Sequence, residues 1–548
     1  MWRNSPRTAN IGHIRTYCVS MGELIQACRP NAVGYGSASD RRPREPVLWC
    51  CEMTEQDPIL LAIDQGTSSS RCIAFSARGS IVALDQQPFE QIYPAPGWVE
   101  HDPEVIWASI LSTTREVLKR LGSEQRQIAA IGLTNQRETT LLWDRRTGIP
   151  VHNAIVWQDR RTAEHCRRLQ EIGREDEVIE KTGLRLDPYF SATKLSWMFE
   201  HVSGAREAAA AGELAFGTVD TFLIWRLTGG RVHATDVSNA SRTALFDIRR
   251  GRWDEELCEL FGVPLKCLPE VRDSAGDYGR TDASVFGQTL PICGVAGDQQ
   301  AALVGQACFS EGSVKSTYGT GAFLILNTGR RLVRSQNRLL TTIAYRLGGE
   351  TTYALEGSIL SAGSTIQWLR DGLGIISRAA EIEPLAQSVA NSGGVYLLPA
   401  FTGLGAPYWD PDARGAIVGL TRASSRGEIA RAGLDSVVYQ TRDLLDAMAA
   451  DGIGPSQLKV DGGMAQNRFF LQRLADVLGV PILRPRMAES TAFGAACLAG
   501  LGHGIYQSLD DIARLWEGDV RCEPKLDVFT RDEEMQGWRK ALQRVRTR

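Results

Sequence analysis

Two β-prone apolar runs open the patterned part of the chain, "ILLAID" from Ile59 and "RCIAFS" ending at Ser76, with a polar turn between them. A third run, "GSIVALDQQPFEQ", follows after Gly79. This spacing predicts an antiparallel meander. In "HDPEVIWASILSTTREVLKRLG" the apolar positions Ile106, Ile110, Val117 and Leu121 share one helical face. Asp102 suits the N-cap, Pro103 the first helical turn and Gly122 the stop. "RQIAAIGLTNQRETTLLWD" then reads as a buried strand, a polar loop and another strand. Three antiparallel strands, a helix and a further strand predict an α/β layer of the ribonuclease H kind. The design recurs near Gly305, where "EGSVKSTYGTGAFLILNTG" is again a β-prone run, a glycine and hydroxyl turn, and a β-prone run. Two such units with matching turns can hold a polyphosphate between them.

Composition sets the scale. At 548 residues the chain exceeds the roughly 250–300 residues that one core supports, so two large domains are expected, over 58–304 and 305–548. Residues 1–57 are expected to be a tail, since "MWRNSPRTANIGHIRTYCVS" lacks apolar periodicity, and a chain starting at Met53 is expected to be as active and stable as the whole. A net charge of -3 gives no general attraction to nucleic acid or anionic membrane. No apolar run approaches the ~20 residues that span a bilayer. The twelve cysteines show no metal-ligand spacing, and Cys72, Cys293 and Cys497 read as buried reduced thiols, which suits a cytoplasmic protein.

The turn "DQGTSSSR" combines Gly66, which permits a tight bend, with the hydroxyls of Thr67, Ser68 and Ser69. Successive N–H groups in such turns form concave anion sites. Asp64 cannot bind phosphate but can hold a hydrated Mg²⁺, and Arg71 can offset charge during transfer. An ordinary hairpin is the plain alternative; the second turn, "YGTG" with Thr320, favours the phosphate reading. No G-x-x-x-x-G-K-[ST] is present, which argues against a P-loop. Asp298 follows a short apolar strand and begins an Ala-rich helix, so it is either a plain N-cap or a general base with Gln299 beside it. Arg137 and Glu138 in "TNQRETT" are either a surface ion pair or a donor and acceptor set for adjacent hydroxyls. Trp157, Tyr189 and Phe323 are either core or the apolar walls of a polyol pocket. In "VDGGMAQN", Gly462 and Gly463 permit flat approach of a base or ribose, with Asn467 in reach, unless the glycines merely serve a strand-to-helix turn.

Taken together, "DQGTSSSR", "PGWVEHDP", "GLTNQRETT", "NAIVWQDRRT", "FGTVDTFLIW", "NASRT", "AGDQQAAL", "YGTGAF", "ALEGSI", "STIQWLRD", "PAFTGLGAPYWDP" and "VDGGMAQN" resemble the FGGY family of carbohydrate kinases, and within it the glycerol-phosphorylating branch. The resemblance runs from about Ile59 to about Gln507. It implies two ribonuclease H-like domains of the actin, Hsp70 and hexokinase ATPase class around a hinged cleft. It also implies MgATP and glycerol as substrates and a homo-oligomer, dimer or tetramer. By position, Arg137, Glu138, Tyr189, Asp298 and Gln299 would bind glycerol with Trp157 and Phe323 as walls, and Asp298 would be the base. Thr67, Ser68, Ser69, Arg71 and Thr320 would meet the phosphates, Gly363, Gln367, Gly463 and Asn467 the nucleoside, and Asp64 the metal. Ser68 stands where many members have threonine, and the chain after "DVFTRDEEM" matches only weakly. The alternatives are a family member acting on a larger sugar, such as xylulose or gluconate, and an actin-like or chaperone-like nucleotide switch.

Overall fold

The computed structural model describes residues 57–547; the expectations for the N-terminal tail and for Met53 fall outside the described residues. The meander forms as anticipated: β1 (Ile59–Gln65), β2 (Ser69–Ser76) and β3 (Ile81–Pro88) pair antiparallel in sequence. Helix α1 spans Pro103–Leu121; the Asp102 side chain accepts from the Glu104 N–H, and Gly122 ends the helix with a φ of 54°. Ile106, Ile110, Val117 and Leu121 are all buried. Strands β4 (Ile128–Asn135) and β5 (Ile292–Gly297) run parallel to β1, giving the order β5-β4-β1-β2-β3. Helix α2 (Asp298–Gly305) follows directly.

The second sheet repeats this order. Strands β6 (Val314–Tyr318), β7 (Ala322–Gly329), β8 (Leu340–Leu347) and β9 (Glu350–Ile359) pair antiparallel along β6-β7-β9-β8. After α3 (Gly363–Asp371) and the long α4 (Arg426–Ala450), strand β10 (Leu458–Asp461) returns parallel to β6. Helix α5 (Arg468–Leu478) leads to β11 (Ile482–Pro485), parallel to β10. Helix α6 (Ser490–His503) and the edge strand β12 (Gly518–Cys522) complete the unit, and α7 (Val528–Leu542) docks through buried Met535 and Trp538. The shared core β9-β7-β6-β10-β11 has the same order and directions as β3-β2-β1-β4-β5.

Both sheets carry their candidate residues at the carboxyl ends of parallel strands, where open α/β sheets bind ligands. Register places Gln65 beside Asn135 and Gly297 beside Asn135, so the first turn, the "QRET" loop and Asp298 emerge together. Thr317 pairs with Asp461 in the same way, bringing the second turn beside Gly462 and Gly463. Helices α2 and α6 pack on each other; α6 also covers β1, β4 and β5, while α2 meets β6, β7 and β8. Cys72, Cys293 and Cys497 are buried. Among the described residues, no helix is long and apolar enough to cross a membrane.

The α2–α6 crossing depends on missing side chains. A Cβ at Gly494 would overlap the Ala301 carbonyl oxygen, and one at Gly305 the Ser490 carbonyl oxygen. Gly494→Ala should therefore lower unfolding stability by about 3 kcal/mol, whereas Gly276→Ala, where a Cβ meets open space, should change it by less than about 0.5 kcal/mol. Urea unfolding of both variants checks this; equal midpoints would contradict close packing at the crossing.

Candidate active site

The loop after β4 turns at Glu138, whose φ of 59° is unusual for a side chain of this size. Arg137 reaches toward Gly297, where a Cβ would come within 2.7 Å of its side chain. Its Nε lies 3.3 Å from Asp298 Oδ1 and its Nη2 donates to Tyr189 OH at 3.4 Å. Trp157 packs edge-on against Tyr189 and Phe323, with ring centroids 5.7 and 6.0 Å away. Trp157 Nε1 donates to Thr67 Oγ1 at 2.9 Å, tying the walls to the first turn. Arg137, Glu138, Trp157, Tyr189, Asp298, Gln299 and Phe323 thus form one cluster, with Phe323 supplied by the second sheet. Asp298 is the first residue of α2, with Gly297 at the N-cap position. Its Oδ1 accepts from the Gln299 N–H at 2.7 Å, a capping-type contact, and also faces Arg137 Nε.

Two side chains complete this cluster that the motifs alone left unassigned. Glu356 of β9 accepts both Arg137 Nη1 at 2.6 Å and Nη2 at 2.9 Å, a bidentate fork. Arg242 donates from Nε to Glu138 at 2.6 Å and from Nη2 to Glu356 at 3.0 Å. All four are at most 2% exposed, so the Arg137–Glu138 pair is not the surface pair considered as its alternative. Burial raises the Glu138 carboxyl, and Arg137 and Arg242 only partly offset it. At Glu356 burial acts the same way, but Arg137 and then Arg242 outweigh it and hold the carboxyl below its ordinary range. A signal was present: Glu356 sits in the strand "TTYALEGSIL", flanked by fully buried residues, where a lone carboxylate needs a cationic partner.

At the first turn, Gly66 N–H donates to Ser69 O at 3.0 Å. Ser68 is exposed at the tip, and Ser69 Oγ accepts from Gln86. Arg71 lies 3.8 Å from Asp64 and 3.0 Å from Glu489, a residue outside the motif reading. Burial pushes the Asp64 carboxyl up to about 7; Arg71 opposes this, while Asp298 and Glu489 add to it. Among the described residues, no three His, Cys, Asp or Glu side chains converge to hold a metal unaided. A single carboxylate short of positive charge instead fits Mg²⁺, which keeps several waters and shares phosphate oxygens.

The remaining predicted residues meet elsewhere. Thr320, Gly363, Gln367, Gly463 and Asn467 line one cavity of about 510 Å³, walled by Ile366, Leu434 and Met464. The Gly363 N–H donates to Gly319 O at 2.9 Å, lacing the second turn to α3. Asn467 Oδ1 accepts from the Phe470 N–H as the cap of α5, leaving its amide NH₂ for a ligand.

Sequence comparison matches residues 59–305 to the N-terminal domain, and 314–503 to the C-terminal domain, of the FGGY family of carbohydrate kinases. A glycerol kinase of Marinomonas sp. (strain MWYL1) is 58% identical over 489 residues, covering 89% of this chain and 99% of the relative. One from Methylobacterium nodulans is 59% identical over 488 residues, covering 88% and 97%. The crystal structure of Plasmodium falciparum glycerol kinase with ADP superposes with a TM-score of 0.84 at 37% identity, covering 89% of this chain and 98% of that one. A xylulose kinase from Lactobacillus acidophilus, at 21% identity and a TM-score of 0.78 over 88% of this chain and 96% of its own, shares the fold.

The folded pKa of Asp64, about 7 against an ordinary 3.8, makes a signed prediction. The fold binds this proton more tightly than the unfolded chain, so the Asp64 contribution to stability is fully present below about pH 4, is lost as the pH rises to about 7 and then levels. Asp64→Asn should gain nothing at about pH 4 and a few kcal/mol at about pH 8 without divalent cations. Melting temperatures at both pH values check this; the same offset at both would contradict it.

Proposed function

The chain belongs to the FGGY family of carbohydrate kinases, and on that premise we infer that it phosphorylates glycerol with MgATP, releasing sn-glycerol 3-phosphate and ADP. The observation that carries this reading is the Arg137, Glu138 and Asp298 cluster, which meets a run of three aromatic rings at Tyr189. It presents donors, an acceptor and a base side by side against apolar walls, the chemistry of a short polyol. Arg137, Glu138, Tyr189 and Gln299 hold the hydroxyls, while Trp157 and Phe323 pack on the carbon chain. Asp298 takes the proton of the attacking hydroxyl as the new oxygen–phosphorus bond forms and the bond to the ADP oxygen breaks. Thr67, Ser68, Ser69 and Thr320 donate to the phosphates, and Arg71 offsets the charge that builds there. Gly363, Gln367, Gly463 and Asn467 take the nucleoside in the cavity beside the second turn. Asp64 would hold Mg²⁺, which would supply neutralisation of the phosphate charge when bound. A cytoplasmic homo-oligomer belongs to the same reading, supported by family membership.

ADP release by the purified protein with MgATP should rise with glycerol and stay near background with xylulose or gluconate; a larger response to a pentulose would contradict the choice of acceptor. Asp298→Asn should keep most of the substrate affinity and lower kcat by roughly 10²- to 10⁴-fold, the usual contribution of a positioned base. Near-normal kcat in that variant would remove Asp298 from the role.

A further inference from the structure

One buried cation takes no part in the mechanism above. Lys315 lies on β6 and is fully buried, on the same strand face as Thr317. Its Nζ donates to Gln299 Oε1 at 2.5 Å and to Thr317 Oγ1 at 3.0 Å. It makes no direct ion pair among the described residues, although a buried ammonium is costly to leave without one. Burial pushes its pKa down to about 8, against the pull of Asp461 and then Asp298. Lys315 is three residues before Tyr318, where β6 ends and the second turn begins, and its neighbour on the same face, Thr317, pairs with Asp461, which leads into Gly462 and Gly463.

We propose that Lys315 is a positioning residue for the phosphoryl acceptor: it commits the Gln299 oxygen, so that Gln299 Nε2, a donor, faces the glycerol hydroxyl. The proposal rests on the reading of the chain as a glycerol-phosphorylating enzyme. A free glutamine can present either end of its amide, and a hydroxyl can meet either. An ammonium offers only donors, so its contact with Oε1 removes that choice. The acceptor oxygen next to Asp298 is then held by a donor from Gln299 while its proton points to the base. Because Lys315 belongs to the second sheet and Gln299 to the helix after β5, the contact also sets this donor relative to the second turn.

The test compares wild type, Lys315→Met, Gln299→Ala and the double variant, with KM measured separately for glycerol and MgATP. Lys315→Met should raise the glycerol KM about tenfold, the cost of misaligning one hydrogen bond to the substrate, with the MgATP KM within about twofold. Gln299→Ala, costly in wild type, should then cost no more than about twofold in the Lys315→Met background, because the two side chains act as one unit. An equal cost of Gln299→Ala in both backgrounds, or a parallel rise in both KM values, overturns the proposal. Should Lys315→Met fail to fold, Gln299→Glu carries the test: it still accepts from Lys315 but offers no donor. It should raise the glycerol KM about tenfold without lowering the melting temperature, and an unchanged glycerol KM overturns the proposal. A wild-type protein that releases no ADP with glycerol overturns the functional reading and this proposal together, before any variant is made.

Discussion

The site is organised by a fork between Arg137 and Glu356. Arg137 follows β4 of the first sheet and Glu356 lies within β9 of the second, and two short hydrogen bonds join them out of water. Taking either charge out of water alone costs several kcal/mol, and breaking such a pair costs about 3–5 kcal/mol. The pair is therefore weak evidence for stability but strong evidence for geometry. The first half holds Arg137 through Asp298 and Tyr189 and the second sheet supplies its bidentate partner, so the proposed polyol pocket is completed by both halves of the chain.

Arg242 extends the fork into a network of two arginines and two glutamates that treats the carboxylates differently. Glu356 accepts three hydrogen bonds and is held ionised. Glu138 accepts one, from Arg242, and burial keeps its carboxyl raised. The first has its lone pairs committed to protein; the second retains acceptor capacity for a ligand, as the proposed role requires. The guanidinium of Arg242 also lies over the Tyr189 and Phe190 rings, 5.6 and 5.3 Å from their centroids, so the aromatic wall and the charged floor brace each other.

Much of this was legible in the sequence, because local rules govern it. The meander, the capped helix at Asp102 and the glycine turns follow from periodicity and breakers, and the repeated turn exposed the doubled unit. The residues that gather around Arg137 and Asp298 were legible as motif. Partners such as Glu356, Arg242 and Glu489 were not, since each acts on a residue far away in the chain: Arg137 and Glu356 are separated by 219 positions. Periodicity can mark a charge as misplaced in a buried strand, but only the fold supplies the other end. For the same reason the stretch around Asp298 by itself left a cap and a base both open; its contact with Arg137 comes only with the fold.

The most direct measurement is kcat/KM for glycerol in Glu356→Gln, which keeps the shape of the fork and removes its charge. With the variant folded and the KM for MgATP within a few-fold of wild type, kcat/KM should fall roughly a hundredfold, about 2.7 kcal/mol of lost transition-state stabilisation. A folded Glu356→Gln enzyme with wild-type kcat/KM for glycerol would contradict it.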